Sequence, residues 1–261
     1  MSLHQKIVVS LLLPALFIVF LWAGNDGESI KQNPSPNSEN PPQTVLVELF
    51  TSQGCSSCPP ADRVLQGLVA DAQEGNLEVI ALSYHVDYWN RLGWKDPYSQ
   101  AVFSERQRQY AQVLPDQRVY TPQMIIQGQH AHVGSREKEV KASIASIQQQ
   151  PAAIIITAAL NAAATKQEIA YEITGRMNGI TLQVALIETS LANDVPRGEN
   201  TGRHLAHTNV VRTLTSTLNP PRQGTVIVDT SALANTANGK VVLFVQDTEY
   251  MTVLGVTEIV L

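Results

Sequence analysis

The sequence predicts a chain with two folded parts, an α/β domain over residues 44–150 and an all-β, sandwich-like domain over residues 151–261. In the first part, short strand-like apolar runs are separated by segments in which apolar residues recur at helical spacing. In the second part, strand-like runs follow one another with turn residues between them and no strong helical pattern. The composition is that of a globular protein, because 44% of the residues are apolar and 16% are charged.

The elements of the first part begin with a predicted strand at residues 44–50, which contains no breaker. A helix follows, with its apolar face between residues 64 and 72. The next predicted elements are strand, helix, strand, strand and helix at residues 77–83, 96–114, 123–127, 130–134 and 135–150. The resulting order, β-α-β-α-β-β-α, is that of a thioredoxin-like core and predicts a single four-stranded mixed sheet.

The second part contains seven predicted strands, at residues 153–160, 168–174, 181–189, 208–214, 224–228, 240–246 and 251–260. Turn residues such as Asn178-Gly179 and Asn238-Gly239 separate them. Many short strands with turns between them are typical of an antiparallel β-sandwich. We therefore predict an all-β domain after the α/β domain.

The amino terminus predicts export. Residues 7–23 are apolar with two exceptions and follow a short segment that contains one lysine. A run of this length is typical of a cleaved signal peptide or an uncleaved membrane anchor over residues 1–24, and the sequence leaves both open. Residues 25–43, rich in Asn, Pro, Ser and Gln, are typical of a disordered linker. We therefore expect a periplasmic or otherwise extracytoplasmic protein, either secreted or tethered to the inner membrane by the N-terminal segment.

The two cysteines of the chain, Cys55 and Cys58, lie between the first predicted strand and the first helix. A Cys-x-x-Cys pair in this position is typical of thiol–disulfide exchange, because the helix start favours a thiolate and the second thiol can release the mixed disulfide. A static local disulfide or a pair of inert thiols is a second interpretation. Metal binding is a third, since two thiolates with His85, or with His130 and His132, are suitable ligands for copper or zinc.

Two further positions are candidates for the same site. Thr121-Pro122 directly precedes the third predicted strand, where thioredoxin-like proteins carry a cis-proline that faces the dithiol and leaves backbone groups free for an extended substrate. His85 lies at the carboxyl end of the second strand, where sites form in open α/β sheets, and Asp87 is placed to orient it as a proton acceptor. A second polar cluster is interpreted as loop and strand-edge residues: Arg203, His204, His207 and Arg212.

Several motifs make the chain resemble a known family. They are residues 51–62 (Thr-Ser-Gln-Gly-Cys-Ser-Ser-Cys-Pro-Pro-Ala-Asp), 85–89 (His-Val-Asp-Tyr-Trp), 120–123 (Tyr-Thr-Pro-Gln), 209–212 (Asn-Val-Val-Arg) and 244–247 (Phe-Val-Gln-Asp). From about residue 44 to residue 261, the chain resembles a family of secreted, mostly proteobacterial proteins known only as a domain of unknown function. The resemblance implies a thioredoxin-like fold and export. It implies no activity and no substrate.

The dithiol motif departs from that of ordinary thioredoxins on both sides. Gly54 stands where an aromatic residue usually precedes the first cysteine, and Pro59 and Pro60 follow the second. If Cys55 is the helix N-cap, the two prolines fall where missing N–H groups begin to break helical bonds. If Cys58 is the N-cap, Pro59 takes the favoured first helical position. Both registers stay open here, and we take Cys55 as the more exposed thiol and the nucleophile.

The leading functional prediction is an envelope thiol–disulfide oxidoreductase that acts on an unknown protein thiol or disulfide. Cys55 attacks, Cys58 resolves, Pro122 shapes the substrate groove and His85 assists proton transfer. The alternative is a non-enzymatic binding protein, in its sharpest form a copper or zinc metallochaperone. No cofactor is predicted, and the formal net charge of -5 without a basic run argues against a nucleic-acid partner. Membrane contact is predicted only through an uncleaved N-terminal segment.

Overall fold

A computed structural model describes residues 43–161 and 167–261 of the chain. The described residues contain three α-helices and eleven strands. The first elements are β1 (Val45–Thr51), α1 (Pro59–Gln73), β2 (Val79–His85), α2 (Ala101–Val113), β3 (Gln123–Ile126), β4 (His130–Val133) and α3 (Glu137–Gln148). The later strands are β5 (Ile154–Leu160), β6 (Gln167–Gly175), β7 (Ile180–Asp194), β8 (His204–Leu218), β9 (Gln223–Val228), β10 (Gly239–Asp247) and β11 (Val253–Val260). Each predicted strand and helix has a counterpart, although β7 and β8 are much longer than predicted.

Eight of the described strands form one mixed sheet in the order β11-β10-β7-β8-β2-β1-β3-β4. The other three form a second sheet in the order β5-β6-β9. In the large sheet, β1 is parallel to β2 and antiparallel to β3. β8 lies parallel to β2 and is joined to it at Ser83 and Val210. The large sheet therefore runs without interruption from the first half of the chain into the second.

The predicted fold class, a thioredoxin-like α/β domain followed by an all-β sandwich-like domain, is therefore wrong. The strands of the first half do not form a separate sheet, because β8 occupies the outer edge of β2. The Asn209 side chain reinforces this junction by donating to the Ala81 carbonyl at 2.9 Å, across 128 positions of sequence. Strand periodicity specifies which residues face the core, but it does not specify which distant strand completes an open edge.

The two faces of the large sheet are covered differently. One face carries α2, and its core is rich in aromatic side chains: Phe50, Tyr84, Phe103, Tyr110 and Phe244. The opposite face carries α1 and α3 over its first half. The three-stranded sheet covers the same face over the second half, where β7 and β10 contribute alternate residues to the core between the sheets. The dithiol turn lies on the side of α1.

A buried ionic network joins the two halves across the α2 face. Arg106 of α2 donates two hydrogen bonds to the Glu48 carboxylate of β1, at 2.7 and 3.0 Å. It donates a third to Gln246 of β10 at 3.0 Å. The Tyr110 hydroxyl donates to Glu48 Oε2 and accepts a hydrogen bond from Gln246 Nε2. Because each charge has a partner, the network tolerates burial between strands from opposite halves of the chain.

The described residues belong to one compact unit, and the predicted division between residues 44–150 and 151–261 stays a prediction. The predicted signal peptide or anchor, 1–24, and the linker, 25–43, lie outside the described residues apart from Gln43. Within residues 43–161 and 167–261, no helix is long and apolar enough to cross a membrane. The predicted periplasmic or membrane-tethered localisation is not supported by this finding.

Candidate functional site

The dithiol lies in the turn between β1 and α1. Cys58 is the N-cap residue of α1 and Pro59 its first residue, which decides between the two registers that the sequence left open. Both cysteines are free thiols, and the Cys58 amide donates to the Cys55 carbonyl at 3.2 Å. Neither side chain has exposed surface. The expectation that Cys55 is the more exposed thiol is therefore wrong, and exposure does not distinguish the two.

Hydrogen bonding does distinguish the two sulfurs. A hydrogen bond from Cys58 lowers the pKa of the Cys55 thiol to about 6, although burial acts in the opposite direction. Ser57 supports the same anion, with its Oγ 3.2 Å from Cys55 Sγ. Burial raises the pKa of Cys58 well above its ordinary value, and the neighbouring Cys55 adds to the effect. At neutral pH the arrangement favours a thiolate at Cys55 and a thiol at Cys58.

Thr121 and Pro122 lie beside the dithiol at the start of β3. The peptide bond between them is cis, as predicted. The Thr121 carbonyl oxygen is 3.9 Å from Cys55 Sγ, and the Thr121 hydroxyl accepts a hydrogen bond from Trp89 Nε1 at 2.7 Å. The Gly134 amide donates to the Pro122 carbonyl at 3.0 Å, and a Cβ at Gly134 would lie 2.8 Å from Ala61 Cβ of α1. The structure thus brings Pro122 and Cys55 together.

Asp62 is a site residue that the sequence analysis missed. It lies one helical turn after Cys58 in α1, and its Oδ1 accepts a hydrogen bond from the Thr51 hydroxyl at 2.9 Å. Burial raises the pKa of Asp62 to about 7, although His85 and Thr51 act against this effect. The available signal was a carboxylate three residues before Leu65, on the apolar side of the helix. The charge of Asp62 also raises the pKa of the Cys58 thiol.

His85 ends β2 and is fully buried. Its Nδ1 lies 2.7 Å from Asp96 Oδ2, so Asp96 orients the ring. The predicted orienting residue, Asp87, instead accepts a hydrogen bond from Ser104 at 2.5 Å. Burial alone would raise the pKa of Asp96, but the charge and hydrogen bond of His85 lower it below its usual value. The prediction that Asp87 orients His85 is therefore wrong, because the chain between His85 and Asp96 folds back in a way that spacing does not reveal.

His207, interpreted from sequence as a loop or strand-edge residue, is buried in the same site. Its ring centroid lies 4.5 Å from that of His85, at an interplanar angle of 84°. Gln53 Nε2 is 3.2 Å from His207 Nε2, and His207 Nδ1 is 3.8 Å from Asp62 Oδ2. Burial, with His85 as a further cause, lowers the pKa of His207 to about 3. Its alternation with buried Leu205 along β8 was the signal for an inward-facing position.

The segment between β7 and β8, residues 195–203, lies over the dithiol turn. Asn200 is fully buried and donates to the carbonyls of Gln53 and Cys55, each at 2.9 Å. Glu199 Oε2 accepts from the Ser56 amide at 2.9 Å and from the Ser56 hydroxyl at 2.7 Å. A turn built from the first half of the chain is therefore held in place by a hairpin from the second half.

The metal-binding interpretation receives no geometric support. Among the described residues, no group of three or more His, Cys, Asp or Glu side chains is placed to hold a metal ion. His130 pairs with Ile126, which places it at the end of β4 away from Pro122 and the dithiol. His132 lies nearer, and its Nε2 is within 2.8 Å of the Ser143 hydroxyl. These two histidines do not join the candidate site.

Comparison with known proteins gives a family and a fold. No protein with a curated description matches the chain. A protein of Agrobacterium tumefaciens with a crystal structure is 28% identical, and the match covers 84% of this chain and 95% of that one with a TM-score of 0.67. HBP35 of Porphyromonas gingivalis is 12% identical over 85% of this chain and 76% of its own, with a TM-score of 0.54, a likeness of fold alone.

A family model described as "Protein of unknown function (DUF1223)" matches residues 46–246, which include the dithiol turn, His85, Pro122 and His207. The match covers more than half of the chain. The chain therefore belongs to the DUF1223 family of proteins of unknown function.

Proposed function

We propose that this protein is a thiol–disulfide oxidoreductase in which Cys55 is the nucleophile and Cys58 the resolving thiol. The observation that carries the proposal is the position of the dithiol at the start of α1, where the Cys58 thiol and the Ser57 hydroxyl, 3.2 Å from Cys55 Sγ, lower the pKa of Cys55 while burial raises that of Cys58. The thiolate is the reactive form in disulfide exchange, and its partner must stay protonated until the second step. A static disulfide or a pair of inert thiols would not require this difference in pKa between the two cysteines.

The reaction has two displacement steps. The Cys55 thiolate attacks one sulfur of a substrate disulfide, so that a Cys55–substrate disulfide forms and the other substrate sulfur leaves as a thiolate. Cys58 then loses its proton and attacks the Cys55 sulfur, and the remaining substrate sulfur leaves as the Cys55–Cys58 disulfide forms. The substrate gains two electrons and the dithiol loses them. Run in reverse, the same steps oxidise a substrate dithiol.

Asp62 supports the second step as the proton acceptor for Cys58. Burial and its anionic neighbours Cys55 and Asp62 favour the thiol form of Cys58, so the thiol needs a nearby base when it attacks. A carboxyl group with a pKa of about 7 is matched to this task near neutral pH. The proton moves from Cys58 Sγ to an Asp62 carboxylate oxygen while the Cys55–Cys58 bond forms.

Thr121 and Pro122 are proposed as the edge along which a substrate lies. The Thr121 carbonyl oxygen is 3.9 Å from Cys55 Sγ, so a peptide paired with this backbone would bring its own sulfur to the nucleophile. Because neither sulfur has exposed surface, the reaction also needs the covering segment at residues 195–203 to move. The substrate is proposed to be a protein thiol or disulfide.

The proposal is tested by following the reduction of insulin by dithiothreitol in the presence of the purified chain. We expect the wild type to accelerate the reaction and Cys55→Ser to return it to the uncatalysed rate. Cys58→Ser should retain the first step only and accumulate a mixed disulfide at Cys55, detected by intact mass. Equal rates for the wild type and Cys55→Ser would refute the proposed function.

A further inference from the structure

Two buried imidazole nitrogens behind the dithiol have no hydrogen-bond partner among the described residues. They are His207 Nδ1 and His85 Nε2, in side chains that are 1% and 0% exposed. An unpartnered polar atom in so dry a place costs stability. His207 Nδ1 lies 3.8 Å from Asp62 Oδ2, and the His85 ring centroid lies 4.5 Å from that of His207.

The position of the proton on His207 follows from its neighbours. Trp94 Nε1 can only donate, and it lies 3.0 Å from Gln53 Oε1, which fixes the orientation of the Gln53 amide. Gln53 Nε2 therefore donates to His207 Nε2. The pKa of His207 is lowered to about 3 by burial and then by His85, so the ring is neutral and its single proton is on Nδ1. This N–H lies 3.8 Å from Asp62 Oδ2.

The orientation of the His85 ring is fixed by Asp96. Asp96 Oδ2 accepts a hydrogen bond from the backbone N–H of Gln53. His85 Nδ1 lies 2.7 Å from the same oxygen, so its N–H also donates to this carboxylate. Nε2 is then the ring nitrogen without a hydrogen-bond partner among the described residues. His85 is the cross-strand partner of Thr51, whose hydroxyl donates to Asp62, so its side chain lies on the sheet face that Asp62 covers.

We propose that His207 and His85 are positioning residues that hold Asp62 in its carboxylate form, ready to accept the proton of Cys58. His207 acts through Nδ1–H, and His85 acts through its charge interaction with Asp62, which favours the carboxylate form. The inference rests on the proposed thiol–disulfide chemistry and identifies the groups that regulate when Cys58 becomes reactive. The titratable groups that face Asp62 from the surrounding elements are Cys55, Cys58, His85, Asp96 and His207. Cys55 and Asp96 oppose the histidines, because negative charge disfavours the carboxylate.

The variants are chosen to separate a role in positioning from a role in folding. His207→Leu removes the donor, whereas His207→Asn offers a side-chain N–H near the place of Nδ1. His85→Asn retains an N–H for Asp96 and removes Nε2. His204→Asn is the matched control, because His204 lies in the same strand with its side chain 65% exposed.

The measurement is the rate of attack by Cys58 as a function of pH. Cys55 is loaded with one thionitrobenzoate group from 5,5′-dithiobis(2-nitrobenzoate), and release of this group reports the formation of the Cys55–Cys58 disulfide. In the wild type we expect the rate to rise with a midpoint near the pKa of Asp62, about 7. His207→Leu and His85→Asn should move this midpoint upward by about one pH unit, which is about a tenfold loss of rate on its acid side. His207→Asn and His204→Asn should stay near the wild type.

The dependence on Asp62 gives the decisive comparison. Asp62→Asn should lose this pH dependence, and His207→Leu should have no further effect in that background, because it acts through Asp62. Unchanged midpoints in His207→Leu and His85→Asn, or a further loss of rate in the double variant, would overturn the inference. If His207→Leu does not fold, the His85→Asn comparison stands by itself.

A second readout does not depend on activity. The carboxyl carbon of Asp62 is titrated by NMR in the reduced chain, where the same upward displacement is expected in His207→Leu and His85→Asn. If Cys55 does not accept the thionitrobenzoate group, the proposed function fails while this titration still tests the positioning. An Asp62 titration that is identical in the wild type and both variants overturns the inference even when thiol chemistry is present.

Discussion

Asp62 occupies a costly place for a carboxyl group. It lies on the side of α1 that faces the sheet, where a neutral residue of the same shape would avoid the desolvation of a charge. Within the described part of the chain its side chain has one hydrogen bond, from Thr51, and its other oxygen is 3.8 Å from His207 Nδ1. The same burial that disfavours the Asp62 carboxylate brings its pKa to the range in which it can exchange a proton with a thiol.

The burial of the Asp62 carboxylate should make the stability of the folded protein depend on pH. In the unfolded chain this group titrates near 3.8, whereas in the folded chain its pKa is raised to about 7. The folded state therefore binds the proton more tightly between about pH 4 and pH 7, and the free energy of unfolding falls as the pH rises through this window. The shift corresponds to at most about 4 kcal/mol.

We expect Asp62→Asn to be close to the wild type in stability at about pH 4 and more stable than it above about pH 7. The amide keeps the oxygen that accepts from Thr51, so the hydrogen bond is retained. Urea denaturation across this pH range measures the difference. A difference of the same size at every pH would show that the ionisation of Asp62 does not contribute.

Among the elements, the hairpin of β7 and β8 contributes most to the site. It places His207 behind the dithiol and carries the covering segment, residues 195–203, at its tip. Asn200 is the central contact of that segment, because one amide group bonds two carbonyls of the dithiol turn. Access to Cys55 should therefore depend on how firmly this hairpin tip is held.

Asn200→Ala should make Cys55 more accessible. The substitution removes both hydrogen bonds and leaves two buried carbonyls without these donors, which costs about 1–3 kcal/mol in the closed arrangement. Alkylation by iodoacetamide well above the pKa of Cys55 should then be faster by about fivefold or more, since opening costs less. Thr201→Ala is the control, because the Thr201 hydroxyl bonds the Gly198 carbonyl within the same segment and no described residue of the dithiol turn. Equal alkylation rates for the two variants would contradict the covering role of Asn200.

The sequence could predict the elements and part of the site. Alternation and helical spacing located each strand and helix, because both follow from local burial. Cys55, Cys58, Pro122 and His85 could be named as candidates because each lies at the end of a predicted element or in the turn next to one. The pairing of β8 with β2 was not found, since it links positions far apart in sequence. His207 depends on that pairing and was missed for the same reason.

At the scale of the whole molecule, the Glu48–Arg106 pair links the halves of the chain. Arg106 contacts Glu48 in the first half and Gln246 in the second, and all of these side chains are buried. A continuous sheet with such a network across it should unfold as a unit. The network also explains how a polar cluster is accommodated in an otherwise aromatic core, since its donors and acceptors satisfy one another.

Arg106→Met should destabilise the protein by about 3–5 kcal/mol, because it leaves the Glu48 carboxylate buried without its cation. Arg108→Met is the matched control in the same helix, where an exposed pair with Glu105 is worth at most about 0.5 kcal/mol. Urea unfolding followed by fluorescence and by circular dichroism gives both free energies. We expect coincident transitions, and a cost for Arg106→Met no larger than that for Arg108→Met would contradict the role of the network.

The position of Asn200 also has a consequence for the synthesis of the protein. Asn200 follows Cys55 by 145 residues, so the ribosome delivers the cover of the dithiol roughly 7–30 s after the thiols themselves. During this interval the nascent chain carries two unshielded cysteines, without the strand that supplies His207. The growing chain is then open to oxidation and to cross-linking with other chains. Translation speed and the redox state around the ribosome should therefore influence the yield of correctly folded protein more strongly than for a site made from adjacent residues.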